Sequence, residues 1–191
     1  AFDHHASEAS RVQGNPENHI IDIDAPSAAR VVYDYFGGPT AFPEISKDMI
    51  EAVDKADSAQ FSKEDILNPS GWELLSFLMD ARTGLGRFRD FNISNYQLMM
   101  QLIDYCRDHH SIDEILALPD VKERVELYEE HKEKQKEQLK RCSEIHDNVI
   151  VIDLRQEENI WAGNRFMVYA LYPNCNISAH VIWGKNKQNT V

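Results

Sequence analysis

Apolar positions along the chain recur in short blocks whose period shifts between two and about 3.6, the signature of strands alternating with helices. Phe2 closes what reads as a strand, and Ile20-Ile21-Asp22-Ile23 alternates like a second, with Pro26 marking its exit. Ser27 then caps a predicted helix carrying Ala28, Val31, Val32, Tyr35 and Phe36, closed by Gly37-Gly38-Pro39. Ile45, Met49, Ile50 and Val53 predict a second helix from about Glu44 to Ala56. Trp72 to Met79 is apolar nearly all round, as a fully buried helix would be, and Arg82 to Asn92 reads as a glycine-containing polar loop. Ser94 opens another amphipathic helix with Leu98, Met99, Leu102, Ile103 and Cys106 on one side, and all these stripes read as core.

The pattern changes at Pro119. A long helix to about Ile145 has apolar positions at Val121, Val125, Tyr128, Leu139, Cys142 and Ile145 but a polar middle from Glu129 to Gln138. A helix polar all round in its centre often bridges domains through solvent, so 119–145 reads as a connector; a solvated face of a single domain is the other reading. Val149 to Ile152, Phe166 to Tyr172 and Ile177 to Trp183 then read as three strands opening another domain. The expected organisation is α/β: one unit over 1–118, a connector helix over 119–145, and the start of a smaller α/β unit over 146–191.

Charge narrows the partners. With 32 acidic against 20 basic residues the net charge is −12, which argues against a surface built mainly to neutralise a nucleic-acid backbone. No apolar run approaches the roughly 20 residues of a membrane helix, and no basic-then-apolar leader is present, so a cytoplasmic protein without a membrane partner is expected. Cys106, Cys142 and Cys175 are far apart and fit neither a disulfide framework nor a thiolate zinc site; they read as reduced structural thiols. The chain begins Ala1-Phe2-Asp3 and ends Lys185-Asn186-Lys187-Gln188-Asn189-Thr190-Val191, a turn heading toward a further strand, so a piece of a longer protein is expected.

Asp3-His4-His5 sits where a strand would end and a loop begin, the usual place for ligands in an open α/β sheet. Imidazole suits zinc and manganese, and an adjacent carboxylate can fix the tautomer or join the coordination shell. The same triplet recurs at Asp108-His109-His110, where the end of an amphipathic helix gives it a structural explanation.

Taken in order and spacing, Asp3-His4-His5-Ala6-Ser7, the stretch from Ile21 through Asp22-Ile23-Asp24-Ala25-Pro26-Ser27 to Tyr33, and Asp57-Ser58-Ala59-Gln60-Phe61 resemble the DHH phosphoesterases. The resemblance covers most of the chain and is nearest to the nanoRNase and exopolyphosphatase-like branch of a family that also includes cyclic-dinucleotide phosphodiesterases and family II inorganic pyrophosphatases. It implies a partial DHH-type catalytic domain, a parallel sheet flanked by helices, joined by the long helix to the start of a DHH-associated C-terminal domain. It also implies a two-metal site, usually manganese and otherwise magnesium, that activates water against a phosphorus ester. Carried over by position, His4 and Asp57 are metal ligands, His5 faces the phosphate as a charge-stabilising or proton-donating group, and Asp3 orients the pair or completes the ligand set. Asp54, one helical turn earlier, is the rival of Asp57. Arg82 and Arg87 are candidates to grip a phosphate bidentately, with surface ion pairing or loop anchoring as their structural alternative. The implied substrate is a small nucleotide, short single-stranded RNA or polyphosphate, and a homodimer is an allowed assembly.

The departures from the family are decisive for activity. Its first motif, a histidine with two alternating aspartates, and its lone bridging aspartate would lie upstream; its glycine-rich, histidine-bearing segment would lie downstream of Val191. His4 and Asp57 alone are too few ligands for two dications, so this chain by itself is expected to be nearly inactive. A non-catalytic nucleotide-binding or interaction module is the alternative. An interaction protein built on the long helix is disfavoured, since 129–138 lacks apolar heptads.

Overall fold

The computed structural model describes residues 1–12, 14, 17–88, 91–108 and 111–184. His109 and His110 of the second triplet, and the tail 185–191, lie outside the described residues. Strand β1 (Phe2–Asp3) pairs in parallel with β2 (Ile20–Ile21), Phe2 opposite Ile20 and Asp3 opposite Ile21. A short helix α1 (Ala6–Arg11), which the apolar pattern did not reveal, forms part of the crossover. Helix α2 (Ala28–Tyr35) starts at Ser27, whose hydroxyl accepts the Arg30 backbone N–H at 2.9 Å. It packs on α3 (Lys47–Asp57), which starts later than its apolar stripe because Ser46 supplies the cap.

Two five-residue helices escaped the periodicity, α4 (Lys63–Leu67) and, further on, α7 (Ile112–Leu116). Each is set by a reciprocal capping box, Ser62 with Asp65 and Ser111 with Glu114. Between them lie α5 (Gly71–Met79), with Leu74, Leu75, Phe77 and Leu78 buried, and α6 (Asn95–Arg107), boxed by Ser94 and Gln97. Leu98 and Leu102 of α6 enter the core, but Met99 and Ile103, expected there too, are 46% and 59% exposed and wall a cleft described below.

Helix α8 (Pro119–Cys142) ends before Ile145, which instead lies in strand β3 (Ser143–His146). β3 runs antiparallel to β4 (Val149–Asp153), and β4 pairs in parallel with β5 (Ile177–Val181). The segment Phe166 to Tyr172 is not a strand: Met167–Leu171 form helix α9. A parallel β4–β5 pair needs a crossover, and a short apolar run of this kind cannot be told from a buried strand by its periodicity.

The polar middle of α8 is solvated on one face, where Glu129, Glu130, Glu133, Lys134 and Glu137 are exposed, and buried on the other. His131 is 3% exposed, packed edge-on between the rings of Phe88 and Trp161. Gln138 donates to the Asn159 carbonyl at 2.7 Å and accepts the Trp161 backbone N–H at 3.1 Å. These polar side chains satisfy the extended stretch 159–164, which carries backbone groups no strand partner would meet. Asn164 completes the join: its amide donates to the Ile66 carbonyl at 3.0 Å and the Tyr128 hydroxyl at 2.8 Å, and its Oδ1 accepts the Phe166 N–H at 3.1 Å. Ile66 and Phe77 share one apolar cluster with Phe166 and Ala170, so α4 and α5 pack against the start of α9 and the helix itself. The three cysteines are free, and no helix among the described residues is long and apolar enough to cross a membrane.

Burial pushes the Tyr128 hydroxyl up to about 12. Its ionisation constant is therefore higher folded than unfolded, and the stability it contributes is present below about pH 10 and lost as pH climbs toward 12. In an ultraviolet titration of the seven tyrosines, one should stay neutral near pH 11 in the wild type, and that laggard should disappear in Tyr128→Phe.

Candidate functional site

The parallel pairing of β1 with β2 delivers Asp3, His4 and His5 to the end of a strand, with Asp22 N–H closing on the Asp3 carbonyl at 3.0 Å. One oxygen of Asp3, Oδ1, organises the turn that follows. It accepts the backbone N–H groups of His4 (2.7 Å) and His5 (2.9 Å) and the His5 imidazole Nδ1 at 2.6 Å. The His5 backbone bond and then its ring hold the Asp3 carboxyl at about 2, while the bond to Asp3 raises His5.

His4 is oriented differently. Its Nδ1 faces the Ala25 carbonyl at 3.1 Å; a carbonyl only accepts, so Nδ1 is the donor there, and in the neutral ring Nε2 is the nitrogen that keeps a lone pair. Nε2 is buried and has no hydrogen bond, yet it lies 3.2 Å from Asp57 Oδ2. The distance is that of an ion pair and the direction is not that of a hydrogen bond. In the neutral ring that nitrogen and the carboxylate oxygen are both acceptors, a pair that can share one cation. Asp57 is positioned by the end of α3 and by the Ala28 N–H, 3.3 Å from the same oxygen.

Asp54 serves the frame. Its Oδ1 accepts the Ser27 hydroxyl at 2.6 Å and its Oδ2 accepts Arg30 Nε at 2.9 Å, which locks α3 to the start of α2. Among the described residues no group of three or more His, Cys, Asp or Glu side chains gathers as a metal site. His4 and Asp57 therefore fit as two ligands of one cation and do not amount to a two-metal set.

Asp57 also lines a cleft of about 1130 Å³. One wall is apolar, from Met49 and Val53 of α3 to Met99 and Ile103 of α6; Asp80, Arg82 and Arg165 supply charge. Arg82 is at this cleft, its Nε bonded to Asp80 at 2.8 Å. Arg87 is not brought to it. Arg87 donates to the carbonyls of Ile160 and Trp161 at 3.3 and 3.5 Å, and it folds over Gly84, where a β-carbon would meet its guanidinium at 2.0 Å. That is the anchoring alternative, fixing the loop after α5 to the stretch before α9. The sequence reading missed Arg165 because it belongs to no motif and follows a segment, Ala162-Gly163-Asn164, whose placement depends on α8.

No family model matches the chain, and no curated protein matches it. A solved structure does: a pGpG-specific phosphodiesterase, PggH, from Vibrio cholerae is 57% identical and superposes with a TM-score of 0.82. The match covers 98% of this chain and 59% of that one, so the chain spans little more than half the length of the protein it resembles.

Proposed function

We propose that this chain is part of a metal-dependent phosphodiesterase of the DHH type that hydrolyses short nucleotide phosphodiesters, with pGpG the leading substrate. The observation that carries the reading is the pairing of His4 Nε2 with Asp57 Oδ2 at 3.2 Å, beside the hydrogen-bonded Asp3–His5 pair. The likeness to a pGpG-specific phosphodiesterase supports the substrate class. In this reading β1, β2 and their helices belong to a DHH-type catalytic domain, and β3, β4 and β5 open the DHH-associated one.

His4 and Asp57 would hold a manganese ion, with magnesium as a substitute. When bound, the metal supplies Lewis acidity toward the phosphoryl group. The chain's own residues do the rest. Asp3 fixes the turn through its bonds to the His4 and His5 backbone and the His5 ring, and it favours the protonated form of His5, the form that can stabilise charge on, or give a proton to, a phosphoester oxygen. Ala25 sets the His4 tautomer, and Asp54 holds the α2–α3 frame against which Asp57 is placed. The further ligands of a two-metal centre would come from chain outside these 191 residues.

The test is release of guanosine monophosphate from pGpG with manganese, using this chain beside a longer form of the protein carrying flanking sequence on both sides. The longer form should turn over pGpG and lose activity on chelation, while the 191-residue chain should be nearly silent. A longer form inactive on pGpG, on a short RNA dinucleotide and on adenosine bisphosphate overturns the reading. The shortage of gathered ligands favours one rival, a nucleotide-binding module without catalysis, which would bind pGpG fully without metal and never cleave it.

A further inference from the structure

Asp80 is the only carboxylate within ion-pair distance of either Arg82 or Arg165 among the described residues, and it serves both. Arg82 takes most of it: its Nε reaches both oxygens at 2.8 and 3.1 Å, and its backbone N–H adds a bond at 2.9 Å. Arg165 is left short. Its Nε stands 3.4 Å from Asp80 Oδ2 without a hydrogen bond, although that nitrogen is buried. The Arg165 guanidinium lies 4.1 Å over the Phe166 ring, which holds it flat, and the side chain is 36% exposed toward the cleft that Asp57 lines. Two guanidiniums on one carboxylate leave a net positive charge in a chain whose total is −12, and among the described residues the terminal N–H groups of both forks make no hydrogen bond.

We propose that Arg165 and Arg82, sharing Asp80, form a phosphate subsite that takes the terminal phosphate of a 5′-phosphorylated dinucleotide. This rests on the reading that the chain handles nucleotide phosphoesters, and it assigns Arg165 a contact that nothing in the sequence suggested. A phosphate monoester is the ligand such a site selects, because a dianion with three acceptor oxygens can satisfy both forks while Asp80 keeps them from repelling each other. A diester linkage carries one charge and fewer free oxygens. The subsite therefore measures whether a chain end is phosphorylated, and it separates that recognition from the metal-binding residues.

The experiment is calorimetric titration of this chain with pGpG and with the unphosphorylated dinucleotide GpG, in a chelator so that neither is turned over. Wild type should prefer pGpG by roughly tenfold, the scale of a charge-assisted hydrogen-bond pair. Arg165→Gln should erase that preference while leaving GpG affinity unchanged, and Arg165→Lys should restore only part of it. Arg82→Gln, at a side chain 63% exposed and outside the core, should weaken pGpG by a smaller factor. Equal affinity of wild type for the two dinucleotides, including no binding of either, overturns the subsite, as does a preference that survives Arg165→Gln. A preference lost in Arg165→Gln alongside a longer protein that never cleaves pGpG would keep the subsite and remove the phosphodiesterase reading.

Discussion

Substituting alanine for His4 should lower manganese-supported pGpG hydrolysis by the longer protein on the order of a hundredfold or more, the scale set by disturbing a metal ligand or the partner that orients it. The reason is specific to this ring. Its Nδ1–H is committed to Ala25, its Nε2 has no protein donor, and Asp57 stands 3.2 Å away with the opposite requirement for a cation. Asp57→Asn, which keeps the shape and removes the charge, should produce a loss of similar size, measured as kcat/KM at saturating manganese and as metal affinity by dialysis. Asp54→Asn should behave otherwise. It weakens the Arg30 and Ser27 bonds that join α2 to α3, so its main effect should appear in the thermal midpoint. Activity retained within threefold in His4→Ala would show that this histidine is not part of the chemistry.

The largest effect on stability is expected at Arg124, which has no exposed side-chain surface at all. Its guanidinium donates to Asn95 Oδ1 at 2.7 Å, to the Ile93 carbonyl at 2.6 Å, to the Asp120 carbonyl at 2.5 Å and to Glu123 at 2.8 Å. It also stacks over Phe91 at 4.1 Å. One side chain thus ties the first turns of α8 to the loop before α6. Arg124→Leu removes every donor and leaves the acceptors in place, which should cost about 3–5 kcal/mol, a large part of the ~5–15 kcal/mol that holds a domain folded. Urea unfolding followed by circular dichroism would measure it. A cost under about 1 kcal/mol would mean that water reaches those carbonyls once the side chain is gone.

What was legible beforehand divides along a physical line. Local signals were read well: the serines at 27 and 94 cap helices by bonds to residues three along, and strand edges at Phe2 and Ile20 follow from alternation. The two capping boxes at Ser62 and Ser111 were equally local but too short-ranged in their apolar pattern to stand out. Long-range placement was not legible. The middle of α8 looks solvated all round by composition, yet one face of it is buried because His131, Gln135 and Gln138 meet an irregular backbone stretch further along the chain. The same blindness placed Arg87 at a phosphate, when carbonyls some seventy residues later occupy it, and passed over Arg165 altogether. His4, Asp57 and Asp3 fall together in space, whereas the difference between Asp54 and Asp57 appears only once Arg30 and Ser27 claim the former.

Asn164 carries a consequence for how the protein is made. Its side chain bonds the carbonyl of Ile66, 98 residues earlier, and the hydroxyl of Tyr128, 36 residues earlier. While the ribosome is still translating the region before it, the end of α4 and the middle of α8 have no partner for these groups, and the aromatic cluster around Phe77 lacks Phe166. This join can therefore close only after residue 164 has cleared the exit tunnel, and until then the Ile66 carbonyl and the Tyr128 hydroxyl lack the partner they have in the fold. A codon change that delays synthesis just ahead of that point would lengthen the interval in which these groups stand unmet.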